Sequence, residues 1–404
     1  MKKTVISTIV PTVMLCSAQL HAAALDRTGQ SILPFLQPGN YFEAGIAILD
    51  PRLSGKMNDD FNKGDLVAAA GTDTGDIGKT YVTPSAAIKF QPSEHVSVGF
   101  IYEHPFGADA GYPTKDLPTY TLNDDNTGSK VKTESLSSII GYQPNKNWNL
   151  YGGVVVQSLE AESHAHGAGF KWMNYDMKAP KETGYGWLAG VAYSVPEIAL
   201  QVALTYRSEI DHKVNDMTES VAIESPAGVI IDFGTETTSA TLTTPQSVNL
   251  DLQTGIAKGT VAFANVRWVD WNKNPVRPPK LYESTEILTG KGTTLVSYYD
   301  DQISANLGVG RKLNQKWGGN VSVGWDSGAG ELVSTQGPVN GYWNVGAGLK
   351  FNSQPNYDIS FGVKYFWLGD AKSQSASDFG TSNYDAEFTD NSLWAYGLKL
   401  GYRF

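Results

Sequence analysis

The final stretch of the chain sets Trp394, Tyr396, Leu398, Leu400, Tyr402 and Phe404 at every second position, with Ala395, Gly397, Lys399, Gly401 and Arg403 between them. A period of two with one apolar face belongs to a β-strand whose two sides meet different solvents. The same alternation recurs along the chain and marks about fourteen strands of roughly ten residues each. They fall near 40–50, 80–90, 95–104, 131–143, 147–158, 183–195, 197–209, 245–254, 258–271, 300–313, 316–326, 341–352, 356–369 and 393–404. The connections alternate strictly in length. Gln91–Glu94, Gln143–Asn147, Val195–Glu197, Thr254–Lys258, Asn314–Gln315 and Asn352–Pro355 are short, most of them built on Pro, Asn, Gly or Lys as tight turns demand. The rest, near 51–79, 105–130, 159–182, 210–244, 272–299, 327–340 and 370–392, are long.

Long loops at one rim and tight turns at the other are the habit of outer-membrane barrels. A soluble sandwich or propeller has no reason to sort its loops by end. Closure also leaves no unpaired edge inside lipid, where every backbone donor needs a partner. Parity then assigns the faces. Ile359, Phe361, Val363, Tyr365 and Trp367 point outward, as do Val202, Leu204, Tyr206, Ala262, Ala264, Val266 and Trp268. Glu43, Glu103, Arg207, Asp251, Asn265, Arg267, Lys350 and Lys364 point inward, because a charge on the lipid face costs several kcal/mol. The expected fold is an all-β transmembrane antiparallel β-barrel of about 14 strands over residues 40–404.

Composition agrees. Charged residues are 18% of the chain, and an average soluble domain has about 25%. The formal net charge is −10 with no basic cluster, which argues against nucleic acid as a partner. Lys2 and Lys3 precede a short apolar run to Ala18, and Ala22, Ala23 and Ala24 follow, so residues 1–24 read as a signal peptide. Cys16, the only cysteine, lies within it and follows Leu15, which argues against a lipid-attachment site. An exported chain without disulfides is held by backbone pairing and packing alone. No later stretch reaches the 18 or so apolar residues of a membrane helix.

Three passages carry a family resemblance. The first is Pro245-Gln246-Ser247-Val248, followed by Trp268-Val269-Asp270-Trp271. The second is Leu307-Gly308-Val309-Gly310-Arg311-Lys312-Leu313, then Trp317 and Gly324-Trp325-Asp326-Ser327. The third is Tyr342-Trp343-Asn344-Val345-Gly346-Ala347-Gly348-Leu349 and the final hairpin to Phe404. In order and spacing they resemble the FadL family of outer-membrane transporters for long-chain fatty acids and, in some branches, aromatic hydrocarbons. The resemblance implies fourteen strands, an N-terminal plug in the lumen, and hydrophobic ligands that leave sideways through a wall opening. The chain departs from the family in its N-terminus: only Leu25–Gly39 precedes the first strand, and the Asn-Pro-Ala motif common in the family is absent. The shortened plug is then residues 25–39, with Ile32, Leu33, Phe35 and Leu36 as its apolar content. The terminal Phe404 also resembles the ending read by the barrel assembly machinery.

A transporter of greasy molecules needs exposed apolar surface near the outer rim and an apolar pocket with few polar anchors. Loop 159–182 offers Phe170, Trp172, Met173, Tyr175 and Met177, and loop 210–244 offers Val221, Ile223, Val229, Ile230, Ile231 and Phe233. The resemblance assigns this pair of loops a first capture groove. A carboxylate would seek a lumen cation, for which Arg207, Arg267 and Lys364 are candidates, unless each balances Glu43, Glu103 or Asp251. His164-Ala165-His166 lacks a third metal ligand in the sequence. The acidic stretches Asn58-Asp59-Asp60 with Asp65, Asp73 with Asp76, and Asp124-Asp125 lack the spacing of a calcium loop. No metal, cofactor or energy coupling is therefore expected. The sequence points to a passive channel for hydrophobic compounds, foremost long-chain fatty acids, in contact with outer-membrane lipid and lipopolysaccharide. Aromatic hydrocarbon uptake, a general diffusion porin and an outer-membrane lipase are the alternatives.

Overall fold

The structure, a computed structural model, describes residues 25–58, 70–112, 119–122, 125–170, 173–224 and 229–404. Residues 1–24, read above as a signal peptide, lie outside the described residues, as do Trp172, Asp59, Asp60, Asp65 and Asp124. Fourteen antiparallel strands form one closed barrel. They are β1 Tyr41–Arg52, β2 Tyr81–Phe90, β3 Val96–Glu103 continued by Gly107–Gly111, β4 Gly128–Tyr142, β5 Trp148–Gly167, β6 Met173–Val195 and β7 Leu200–Arg207 continued by Ile210–Glu224. Then follow β8 Ile230–Thr244 continued by Ser247–Ala257, β9 Thr260–Val269, β10 Gln302–Lys312, β11 Trp317–Asp326, β12 Tyr342–Gln354, β13 Tyr357–Leu368 and β14 Ser392–Arg403. The seam closes as β1 pairs with β14 in register from Tyr41↔Arg403 to Arg52↔Ser392.

The faces follow the expected parity. Leu204, Val266, Ile359, Phe361 and Trp367 are exposed, whereas Arg207, Asp251, Asn265, Arg267 and Lys350 are buried. Two aromatic belts bound the apolar band, as membrane interfaces favour. At the tight-turn rim Trp148 packs on Tyr193, Trp317 on Phe351, and Tyr357 stacks on Tyr402 at 4.5 Å. At the other rim Trp187 packs on Tyr206 and Tyr365 on Trp394.

Where the lipid ends is visible on β5. Its outward face runs Leu150, Val154, Val156 and then turns charged at Glu160, Glu162 and half-exposed His164. Ion pairs link the strands at this level, Lys178 on β6 to Glu162 on neighbouring β5 at 3.0 Å and Lys181 on β6 across β5 to Glu134 on β4 at 2.5 Å. An outward charge is costly at mid-membrane and nearly free at the interface, so this switch places the upper parts of β4 to β8 in water.

Here the boundaries differ from those read in the sequence. Residues 159–182 and 210–244 are mostly strand, because β5 and β6 run on to Gly167 and from Met173, and β7 and β8 continue as Ile210–Glu224 and Ile230–Thr244. Alternation persists there, but its outward face is polar, which removed the apolar signal that marked the lower strands. Helix α1, Pro279–Thr289, is also new; Pro279 opens it and Gly290, at φ 74°, closes it. Its N-terminal amides, those of Lys280 and Leu281, both donate to Glu219 on β7, which also accepts from Tyr175 and Thr238. Three long connections add a four-stranded sheet from Lys56–Met57, Leu332–Ser334, Ala371–Gln374 and Ala386–Phe388.

Candidate functional site

Residues 25–39 fill the bore. Gly29 and Gln30 both take positive φ, 62° and 51°, and turn the segment back on itself. Gln30 is no glycine, so its conformation is held by its surroundings. The Arg267 guanidinium supplies them: it donates to Asp26 at 2.6 Å, Gln30 at 2.9 Å, Asn249 at 2.7 Å and Ser247 at 3.1 Å. Arg267 and Asp26 are both fully buried. Asn249 donates to the Gly29 carbonyl, and Thr28 to Glu103 at 2.7 Å. Below this layer Ile32 and Phe35 are buried against Ile101, Ile139, Tyr151 and Leu188, with Leu36 packed on the same cluster; Leu33 is half-buried. Phe35 meets Tyr151 edge-on at 5.9 Å. At the bottom Lys89 donates to the Gln37 carbonyl and Arg403 to its side chain.

The wall opens beside this segment. β2 and β3 pair only from Ala86↔Tyr102 to Phe90↔Val98. Above that rung β3 breaks at His104-Pro105-Phe106, where proline removes a ladder donor. The two sides next meet at an isolated bridge, Gly78↔Ala110. The free backbone of the break pairs inward instead: Arg27 donates to the Pro105 carbonyl and Gly107 to the Leu25 carbonyl, both at 2.8 Å. A cavity of about 110 Å³ behind it runs from Thr28, Ser31 and Glu43 to Ile46, Tyr102 and Leu398 on the lipid side.

Above the segment lies a larger, mainly apolar cavity of about 250 Å³, whose lining includes Leu25, Leu53, Phe106, Leu242, Trp271 and Tyr298. Two cations reach it, Arg27 and Lys273. Lys273 pairs with Asp270 at 2.8 Å. Arg27 donates to the Tyr81 hydroxyl at 2.6 Å and lies over the Tyr81 ring, its Cζ 4.3 Å from the centroid. No carboxylate among the described residues lies within ion-pair distance of it.

The residues singled out in the sequence are distributed as follows. Arg267 holds the N-terminal segment, so its balancing acid is Asp26 rather than Glu43, Glu103 or Asp251. Arg207 is 5% exposed, with Nε and Nη1 unpartnered among the described residues, and feels the field of Glu103. Lys364 faces the bore beside Gly346, half-buried. Glu43 pairs with Lys399, and Lys350 with Asp358. Phe170, Met173 and Tyr175, with Met177 and Val221, are buried in the cluster under the outer loops, and Phe233 packs against it. Ile223 is half-buried. Among the described candidates of these two segments Val229, Ile230 and Ile231 are exposed, while the strand extension turns the others wholly or partly inward. The sequence reading missed Arg27, whose own neighbourhood gives no signal, and the β3 break, which Pro105 signals.

A family profile described as outer membrane protein transport protein (OMPP1/FadL/TodX) matches residues 32–404. No curated protein matches. The structure is similar to a FadL homologue of Pseudomonas aeruginosa, with 15% identity, 91% of each chain covered and a TM-score of 0.69. It is also similar to the toluene transporter TodX of P. putida, with 12% identity, 92% of each chain and a TM-score of 0.61. The toluene transporter TbuX of Ralstonia pickettii gives 13%, 96% of this chain and 97% of that one, and 0.58. With a matched profile over nearly its whole length and the closed fourteen-strand barrel, the chain belongs to the OMPP1/FadL/TodX family of outer-membrane transport proteins, whose members carry hydrophobic compounds.

Proposed function

We propose that the protein admits hydrophobic monocarboxylates, foremost long-chain fatty acids, to the upper cavity and releases them through the gap between β2 and β3. Val229, Ile230 and Ile231 form the outer apolar landing surface. Residues 25–39 act as the plug, whose contacts with the β3 break link its position to that gap. The observation that carries the carboxylate reading is Arg27: a guanidinium without an acid partner among the described residues, at the edge of a mainly apolar chamber. Such a group gains a charge-assisted hydrogen bond from an anionic headgroup and nothing comparable from a hydrocarbon. The same proposal has Phe404 read by the assembly machinery, and lipid and lipopolysaccharide surround the barrel.

A second reading, uptake of uncharged aromatic hydrocarbons, is favoured by one corner of the cavity. There Phe106 meets Trp271 at 5.6 Å and Trp271 meets Tyr298 at 4.9 Å. Arg27→Gln separates the two. Hydrogen bonds to charged groups contribute about 1.5–3 kcal/mol, so labelled oleate uptake at low concentration is expected to fall about tenfold or more. Toluene uptake and sugar permeability stay unchanged. Unaltered oleate uptake would assign the chamber to the hydrocarbon.

A further inference from the structure

The strand register brings together three residues that the sequence leaves apart. His164 and His166 alternate on β5 and so share a face. On β6, Asp176 stands opposite His164 and Asn174 opposite His166. Asp176 Oδ1 lies 2.5 Å from His164 Nδ1 and 3.0 Å from His166 Nε2. One ligand atom from each residue falls within 4.8 Å of the other two. The two-histidine fragment thereby gains the third ligand that it lacked.

From this geometry we infer that His164, His166 and Asp176 form a binding site for a late first-row divalent cation, with Zn²⁺ as its natural occupant. Two imidazoles and a carboxylate are the donor set that Zn²⁺ takes at 2.0–2.2 Å, which puts tetrahedral ligand atoms about 3.3 Å apart. The carboxylate therefore needs to withdraw by less than about 1 Å, and the two imidazole nitrogens, within 4.8 Å of each other, to close toward that spacing. Calcium and magnesium prefer oxygen ligands and are disfavoured here. The fourth position opens to solvent, because the side chains of His164 and Asp176 are 47% and 42% exposed.

Two further observations support a cation. His166 is a buried imidazole, 2% exposed, whose ring makes one polar contact, to Asp176, while its Nδ1 has no partner among the described residues. The surroundings also hold acidic groups: Glu162 and Asp125 lie near His164, with Glu162 paired to Lys178. The site sits above the lipid on the outer face of the β5–β6 hairpin. Ser163 and Met177, adjacent in sequence and pointing the other way, line the large cavity. A bound ion would staple the hairpin that forms that part of the chamber wall.

The test is titration of the tag-free protein in detergent with Zn²⁺ by calorimetry, and with Co²⁺ by visible absorption, at mildly alkaline pH. One ion per chain is expected, with the intense bands of tetrahedral Co²⁺. Affinity should fall at least tenfold in both His164→Ala and Asp176→Asn. His95→Ala, at a distant tight turn, should bind like the wild type. Asp176→Asn keeps the side-chain shape, and folding of every variant is checked by its heat-dependent mobility. Absence of stoichiometric binding in the wild type, or wild-type affinity in both site variants, overturns the assignment.

Discussion

Arg267 illustrates how little a residue's class says about its task until its partner is known. Parity along β9 sends it inward, and that much is local. Its acid, Asp26, is 241 positions away and could not be read from spacing. Removing one member of a fully buried pair leaves an uncompensated charge, which costs about 3–5 kcal/mol. Arg267→Met is therefore expected to loosen the turn at 26–30 and accelerate amide exchange there by about 100-fold or more. Hydrogen exchange read by mass spectrometry checks this. The double variant Asp26→Asn with Arg267→Met should recover part of the protection, and unchanged exchange in the single variant would show that the pair does not hold the segment. His164 and His166 teach the same lesson in reverse. Their pairing on one face was legible, whereas Asp176 entered only with the register of β6.

Among the elements, the N-terminal segment is seated by shape as much as by charge. Phe35 lies against two strand glycines: a Cβ built at Gly99 would come 2.6 Å from Phe35 Cδ2, and one at Gly141 would come 2.9 Å from Cζ. Gly99→Val is therefore expected to expel Phe35 and leave the lower bore open, raising conductance in planar bilayers several-fold over a nearly closed wild type. Gly319→Ala, where an added Cβ would meet nothing closer than 3.5 Å, serves as the control. Equal conductance in all three proteins would mean that Phe35 does not obstruct the bore. The strands themselves were readable, and most observed ends fall within a few residues of the alternation. The exceptions, residues 159–182 and 210–244, leave the membrane and trade an apolar outer face for Glu160, Glu162 and Lys178. Helix α1 hid in a long connection, although Pro278-Pro279 before it and Gly290 after it are its start and stop signals.

For the whole molecule, everything rests on β1 meeting β14. Ile46 and Leu398 face each other across that seam. Directly opposed residues on paired strands have Cβ atoms about 4.5–5.5 Å apart, close to what a disulfide requires. The sole cysteine, Cys16, lies outside the described residues, so Ile46→Cys with Leu398→Cys introduces the only pair in the barrel. Mild oxidant should crosslink it internally and abolish the heat-induced mobility shift. An uncrosslinked chain would mean that the seam does not close in this register. Alternation along the strands and the lengths of their connections establish the fold class, the rim that carries the long loops and the side of each strand that faces lipid. The faces follow from a period of two between unlike solvents, which every strand displays on its own, and the rim from the alternation of short and long connections. Only the assembled barrel shows that Arg267 binds Asp26, that Arg27 has no acid beside it among the described residues and that Asp176 joins two histidines. Each depends on how far one strand slides along another, and a slip of a single residue would turn every such side chain to the opposite face.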